Sequence, residues 1–187
     1  MAHGTLTMIV GCMFAEKTTE LIRLYRRVQR AGRQCIMVKP GKDTRYSKSD
    51  VVSHNQESET ALVCQNSMEI MDIIGENEYV FFDEGQFFDD LAKTCDLLMQ
   101  KGIHIYVSAL RSDFRRNPFP VVSTLLARAN GGIIWLTAVC ACGKDATESK
   151  LIANVDLNGT SEFIGGGESY APVCLGCFWK TDHLQLD

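Results

Sequence analysis

The stretch Thr5-Leu6-Thr7-Met8-Ile9-Val10-Gly11-Cys12-Met13-Phe14-Ala15-Glu16-Lys17-Thr18 decides how this chain folds. Thr5 to Val10 is a short apolar run and predicts a buried strand. From Lys17 to Gly32, Leu21, Ile22, Leu24, Tyr25 and Val28 recur at helical spacing against Arg and Glu, which predicts an amphipathic helix. Between the two, Gly11 to Thr18 fits seven of the eight positions of G-x-x-x-x-G-K-[ST]. That pattern belongs at a strand-to-helix junction because backbone N–H groups and the helix N-terminus wrap an anion there, with a Lys and a metal-binding hydroxyl beside it. The position that fails is the second glycine, here Glu16. A carboxylate about 4 Å from a phosphate charge is repelled by ~4 kcal/mol at an effective dielectric of about 20. A junction whose Lys17 and Thr18 merely begin a helix fits the same residues.

Working outward, strands and helices alternate. Cys35 to Val38 predicts a second strand, closed by Pro40-Gly41. Tyr79-Val80-Phe81-Phe82 is an unbroken apolar run that suits a central parallel strand. A helix from about Asp89 to Lys101, a strand from Ile103 to Leu110, a helix from Pro118 to about Ala129 and a strand from Ile133 to Val139 follow. This order implies a parallel sheet with crossover helices. Beyond Val139, Leu151, Ala153 and Val155 alternate with polar residues before Asn158-Gly159, a hairpin signal. The expectation is a core over residues 1–138 and a small antiparallel lobe over residues 139–187.

The chain has 187 residues, 45% of them hydrophobic, and 19 basic against 23 acidic side chains leave a net charge of -4. With no basic run, that balance disfavours a general binder of nucleic-acid backbones. No apolar run approaches the roughly 18 residues of a membrane span, and Met1-Ala2-His3-Gly4 lacks a secretory pattern, so a cytoplasmic protein is expected.

Two further features carry chemistry. Asp83-Glu84 follows an apolar strand, at the end where open parallel sheets bind ligands. Asp83 there suits Mg²⁺, and Glu84 suits a general base for a hydroxyl attacking a γ-phosphate. Of the eight cysteines, Cys12, Cys35, Cys64 and Cys95 are scattered, whereas Cys140-Ala141-Cys142 and Cys174-Leu175-Gly176-Cys177 form two pairs separated by the 31 residues 143–173. Two close thiolate pairs can close a tetrahedral, structural Zn²⁺ site, although the first pair is C-x-C rather than the commoner C-x-x-C. Four free buried thiols are the alternative.

Together these residues resemble the type II thymidine kinase family. The resemblance rests on Gly11 to Leu21, Asp43-Thr44-Arg45-Tyr46, Ser53-His54, Asp83-Glu84-Gly85-Gln86-Phe87-Phe88, Ala109-Leu110-Arg111-Ser112-Asp113-Phe114-Arg115, the cysteine pairs, and Ile164-Gly165-Gly166 followed by Tyr170. It implies an α/β fold of the P-loop NTPase, RecA-like kind, a parallel sheet with helices on both faces, plus a zinc-bound lasso. It further implies transfer of the ATP γ-phosphate to the 5′-hydroxyl of thymidine in a cytoplasmic homotetramer, with no nucleic-acid or membrane partner.

Carried onto this chain, the resemblance makes Glu84 the general base. It assigns ATP and Mg²⁺ to Gly11, Cys12, Met13, Phe14, Ala15, Glu16, Lys17, Thr18, Arg45, Asp83 and Gln86. The nucleoside pocket is implied at Met13, Phe87, Leu110, Phe114 and Phe119, closed by the lasso Ser161-Glu162-Phe163-Ile164-Gly165 and by Tyr170. The zinc ligands implied are Cys140, Cys142, Cys174 and Cys177. Asn55 stands where the family usually has Asp, and Cys12 where many members have Pro. Glu16 is the largest departure. It leaves two expectations: a thymidine kinase, impaired or not, and a non-catalytic nucleoside- or nucleotide-binding protein of the same fold.

Overall fold

A computed structural model describes residues 3–42, 50–52, 58–152, 167 and 169–180. Six strands make one parallel sheet: β1 (Leu6–Gly11), β2 (Cys35–Pro40), β5 (Leu62–Cys64), β6 (Tyr79–Phe82), β7 (His104–Leu110) and β8 (Gly132–Leu136). Their order is β5-β2-β6-β7-β1-β8, so β7 lies between the strand that enters the phosphate-type loop and the strand that ends in Asp83. Two further strands, β3 (Asp50–Val52) and β4 (Ser58–Thr60), form a separate antiparallel pair.

Alternation along the strands explains why both faces are covered. Met8 and Val10 of β1 and Val80 and Phe82 of β6 point to one face, where α3 (Leu91–Gln100) supplies Leu91, Cys95 and Leu98 and α4 (Pro120–Arg128) supplies Val122 and Leu125. The short helix α2 (Ile70–Ile73) adds Ile70 to the same cluster. Ile9 and Phe81 point to the other face, against Leu21, Ile22, Leu24 and Tyr25 of α1 (Lys17–Arg30). There the Tyr25 ring meets Phe81 edge-on at 5.3 Å and Phe81 stacks on Tyr106 at 4.7 Å. Each fully buried Leu or Phe of these clusters stabilises the fold by roughly 1.5–3 kcal/mol. The sheet therefore needs nearly continuous apolar strands.

Several boundaries differ from the sequence reading. The run Ile133 to Val139 is not one strand: β8 ends at Leu136, and Ala138–Val139 (β9) turns to pair antiparallel with Asp145–Ala146 (β10). β2 continues through Pro40, because Pro lacks only a donor and can close a strand. Helix α4 begins at Pro120 rather than Pro118, with Phe119 still extended at φ -74° and ψ 122°, the conformation favoured before a proline. The edge strand β5 and the β3–β4 pair were missed, since three-residue strands carry too little periodicity to read. The Asn158-Gly159 turn lies outside the described residues. Within them the antiparallel pair is β11 (Glu148–Leu151) with β12 (Tyr170–Val173), followed by the short helix α5 (Leu175–Phe178).

Among the described residues no helix is long and apolar enough to cross a membrane. Ala138 of β9, Ala146 of β10 and the flanking Cys140 and Cys174 pack with Cys12 and Ala15. These residues thus seat directly on the loop after β1.

Candidate active site

The site forms where β1, β6 and β7 end together. Parallel pairing matches Gly11 with Leu110 and Phe82 with Val107, so Asp83 comes level with Ser108. Gly11 must be glycine because a Cβ there would lie 2.7 Å from the Leu136 carbonyl oxygen and 2.8 Å from the Ala15 Cβ. Gly85 is equally constrained, with Val107 Cγ1 at 2.5 Å from such an atom.

The loop Cys12 to Glu16 leads into α1 as the pattern requires. Lys17 is buried, and its Nζ donates to the Cys12 carbonyl at 2.8 Å across the loop. Cys12, Met13 and Ala15 are buried and Phe14 is half-buried. Phe14 and Glu16 both adopt left-handed backbone, at φ 65° and 59°. That conformation costs an L-residue roughly 1–2 kcal/mol relative to glycine. The Glu16 side chain is exposed, and its Oε2 accepts from Thr19 Oγ1 at 2.5 Å. The carboxylate is thus drawn along the helix exterior.

Thr18 Oγ1 donates to Asp83, 3.2 and 3.3 Å from its two carboxylate oxygens. Asp83 is buried and also accepts a short hydrogen bond from Ser108 Oγ. Ser108 Oγ in turn accepts from the Glu84 backbone N–H at 3.3 Å. Glu84 sits at φ 50°, and its Oε2 accepts from Gln86 Nε2 at 2.5 Å, while Gln86 Oε1 accepts from the Leu110 N–H at 3.1 Å. Gln86 is buried and fastens the acidic pair to the end of β7. Ser108 was missed by sequence reading. Its one signal is a hydroxyl inside the otherwise apolar Val107-Ser108-Ala109 run.

On the opposite side of the loop, the C-terminal strands contribute. The Met13 N–H donates to Ser149 Oγ at 2.9 Å, and Cys12 Sγ donates to the Ala146 carbonyl at 3.3 Å. Burial pushes the Cys12 thiol up, so it stays a neutral donor. Phe114 and Tyr170 lie 6.5 Å apart between ring centroids, in a tilted arrangement. Leu110, at the end of β7, and Phe87, three residues after Glu84, are half-buried, whereas Phe119 packs against the main core from the foot of α4. Gly167 approaches Phe14, with ring carbons 3.7 and 3.8 Å from where its Cβ would stand. Arg45 and Ser161 to Gly165 lie outside the described residues.

The sulfurs of Cys140, Cys142, Cys174 and Cys177 all lie within 4.8 Å of one another, with Cys142 at 3.5 Å from Cys140 and 3.6 Å from Cys174. Tetrahedral zinc with Zn–S of about 2.3 Å demands sulfurs roughly 3.8 Å apart, and the cluster fits that spacing. The amides of Cys142 and Cys174 aim at the Cys140 sulfur and bring its thiol down to about 6. The Cys177 amide lowers Cys174 likewise. Cys177 is pushed up to about 12 by its sulfur neighbours, Cys142 first. One thiolate among close thiols is easy to form and the next is hard, a repulsion that a divalent cation removes.

Similarity to known proteins agrees with this geometry. A profile of the family described as "Thymidine kinase" matches residues 4–178. The chain is 40% identical over 181 residues to a thymidine kinase of Rabbit fibroma virus, covering 96% of this chain and 98% of the viral protein. It is 38% identical over 195 residues to a thymidine kinase of Thermococcus kodakarensis, covering 98% and 96%. With a cytosolic thymidine kinase of Cricetulus griseus it shares 35% over 185 residues, covering 98% of this chain and 76% of the relative. A match that runs through the phosphate-type loop, the acidic strand end and both cysteine pairs leaves little of the sequence outside it: this chain belongs to the thymidine kinase family.

Proposed function

We propose that this protein transfers the γ-phosphate of Mg-ATP to the 5′-hydroxyl of thymidine, and that it does so with the residues gathered at the ends of β1, β6 and β7. The observation that carries the reading is the chain Thr18–Asp83–Ser108–Glu84, which joins a hydroxyl in the first turn of α1, the buried Asp83 carboxylate, the Ser108 hydroxyl and the backbone N–H of Glu84 in one hydrogen-bonded line. Mg²⁺ held by Thr18 and Asp83, directly or through water, would supply charge neutralisation at the phosphates. Lys17 would leave the Cys12 carbonyl to pair with phosphate oxygens. Backbone N–H groups from Gly11 to Glu16 would cradle the remaining oxygens.

In the reaction the thymidine 5′-oxygen forms a bond to the γ-phosphorus as the bond to the β–γ bridging oxygen breaks. The 5′-hydroxyl proton passes to Glu84, whose orientation Gln86 maintains. Phe114, Tyr170, Met13, Leu110 and Phe87 would enclose the nucleoside, and Arg45 and the lasso Ser161 to Gly165 would complete the site. Zinc on the four cysteines would fix the lobe, residues 139–187, against the core, residues 1–138. A cytoplasmic homotetramer is part of the same reading and rests on resemblance to the family.

Two features of Glu16 favour activity despite its departure from glycine. Its backbone adopts the left-handed conformation that the loop calls for, and its carboxylate is engaged by Thr19. The test is phosphorylation of radiolabelled thymidine with Mg-ATP, by the unaltered protein and by Glu84→Gln. The expected result is turnover that falls by about 10²-fold or more in Glu84→Gln. Thymidine or ATP binding without turnover, in both the unaltered protein and Glu16→Gly, would identify the non-catalytic binding protein instead.

A further inference from the structure

Between β7 and α4 the segment 111–117 carries Phe114, and it is closed upon itself by one side chain. Asp113 Oδ1 accepts from the N–H groups of Arg115 at 2.9 Å and Asn117 at 2.7 Å, and its Oδ2 accepts from Asn117 Nδ2 at 3.1 Å. The backbone adds Asp113 N–H to the Asn117 carbonyl at 2.9 Å and Arg116 N–H to the Asp113 carbonyl at 3.1 Å. A loop so closed moves as a unit. Its placement depends on what holds its two ends.

Both ends reach the same carboxylate. Glu148, at the start of β11, is 3% exposed; Arg116 Nε lies 3.2 Å from its Oε2 and Arg111 Nη1 3.6 Å from its Oε1. Thr147 Oγ1 donates to Oε1 at 3.1 Å. Arg116 holds left-handed backbone at φ 66°, a strained geometry for arginine, and its guanidinium lies 5.4 Å from the Trp179 ring centroid and 5.9 Å from that of Phe178. Phe178 ends the short helix α5 that carries Cys177, and Trp179 follows it. β11 also pairs with β12, which begins at Tyr170, the ring facing Phe114.

We infer that Glu148 is a positioning residue for the nucleoside: by holding Arg111 and Arg116 it anchors the Phe114 loop to the strand and helix beside the cysteine cluster, and so sets the gap between Phe114 and Tyr170. This rests on the nucleoside reading of those two rings given above. The neighbouring Ser149 serves the phosphate-side loop through Met13, so the two residues divide the strand's tasks. Removing Glu148 acts on one substrate and spares the other.

The test compares the full-length zinc-loaded protein with Glu148→Gln, Glu148→Asp and Trp179→Leu. Glu148→Gln is expected to raise the thymidine KM about tenfold while the ATP KM and kcat stay within about twofold, with partial recovery in Glu148→Asp. Hydrogen exchange of residues 111–117 should accelerate in Glu148→Gln and in Trp179→Leu, with the peptides of β1 and α1 unchanged. The exchange arm needs no activity. If the unaltered protein phosphorylates nothing, the kinase reading fails while the anchoring is still decided by exchange. An unchanged thymidine KM with unchanged loop exchange overturns the inference. So does an equal loss in both KM values accompanied by faster exchange throughout the sheet, which marks Glu148 as a fold residue only.

Discussion

Thr18 and Asp83, 65 residues apart in sequence, are joined by a hydroxyl that lies 3.2 and 3.3 Å from the two carboxylate oxygens. One residue lies in the first turn of α1 and the other directly follows β6, which is two positions from β1 in the sheet. Their meeting sets where a divalent cation would be shared, because hydroxyl and carboxylate oxygens are the ligands Mg²⁺ prefers. Ser108, reaching Asp83 from the strand between them, completes the arrangement.

Asp83→Asn should lower kcat by about 10²-fold or more, since it removes the buried charge that the proposed function sets at Mg²⁺ and the phosphates. Ser108→Ala should act more mildly, by about tenfold, with stability reduced by about 1–2 kcal/mol because Asp83 and the Glu84 amide both lose a partner. Steady-state kinetics over a Mg²⁺ series separates the two. A Ser108→Ala enzyme with unaltered Mg²⁺ dependence and rate would show that Ser108 does not orient the acidic pair.

Glu16→Gly relieves the strain of a side chain on left-handed backbone and removes a carboxylate exposed at the start of α1, near the proposed phosphate site. The ATP KM should fall by about threefold to tenfold, equivalent to about 1 kcal/mol of repulsion between screened charges. Stability should change by less than about 1 kcal/mol, because relief of strain is offset by the greater unfolded-state freedom of glycine and by loss of the Thr19 contact. Thermal melts and ATP titrations of the two proteins check this. A raised KM would mean that the Glu16–Thr19 contact helps to shape the loop.

Chelating the zinc proposed for the four cysteines should weaken binding of both substrates. Cys140 and Cys174 pack in one cluster with Cys12 and Ala15, and Ser149 binds the Met13 amide, so a loosened lobe disturbs the phosphate loop as well as the nucleoside side. The expected outcome is higher KM for ATP and for thymidine with helical circular dichroism retained, since α1, α3 and α4 pack on the sheet and not on the four clustered cysteines. Metal analysis of the untreated protein should give one zinc per chain.

Asp90 offers a pH test of the scaffold. Burial disfavours its charged form, but donation from Ser67 Oγ at 2.7 Å and from the Ser67 and Met68 amides at 3.0 Å each prevails and holds the carboxyl below its ordinary value. A lowered native value means this stabilisation is complete above the unfolded carboxylate range, about pH 3.9, and is lost as pH falls through the native value. Asp90→Ala should therefore cost about 1–3 kcal/mol at pH 7 and make denaturation less steep in acid. Urea unfolding at pH 7 and pH 3 measures both. Equal destabilisation of the variant at both pH values would exclude this linkage.

The strand-to-loop-to-helix passage from Leu6 through Lys17 to Arg30, the acidic end of Tyr79 to Phe82 and the spacing of the four cysteines were legible in the sequence, because each is written in neighbouring residues. Periodicity, glycine and paired thiols are local signals. What the tertiary structure alone decided is non-local. That Ser108 meets Asp83 follows from the register of two parallel strands, which no short turn fixes in advance. That Ser149 and Glu148 divide between the phosphate loop and the Phe114 loop depends on how β11 lies across the sheet's end, and that Glu16 turns toward Thr19 depends on the left-handed backbone beneath it. The break at Thr137, between β8 and β9, has the same origin: apolarity continues along Ile133 to Val139, but hydrogen-bond partners change from the parallel sheet to the lobe. A chain declares its local geometry residue by residue, whereas the company each side chain keeps across the sheet is settled only by folding.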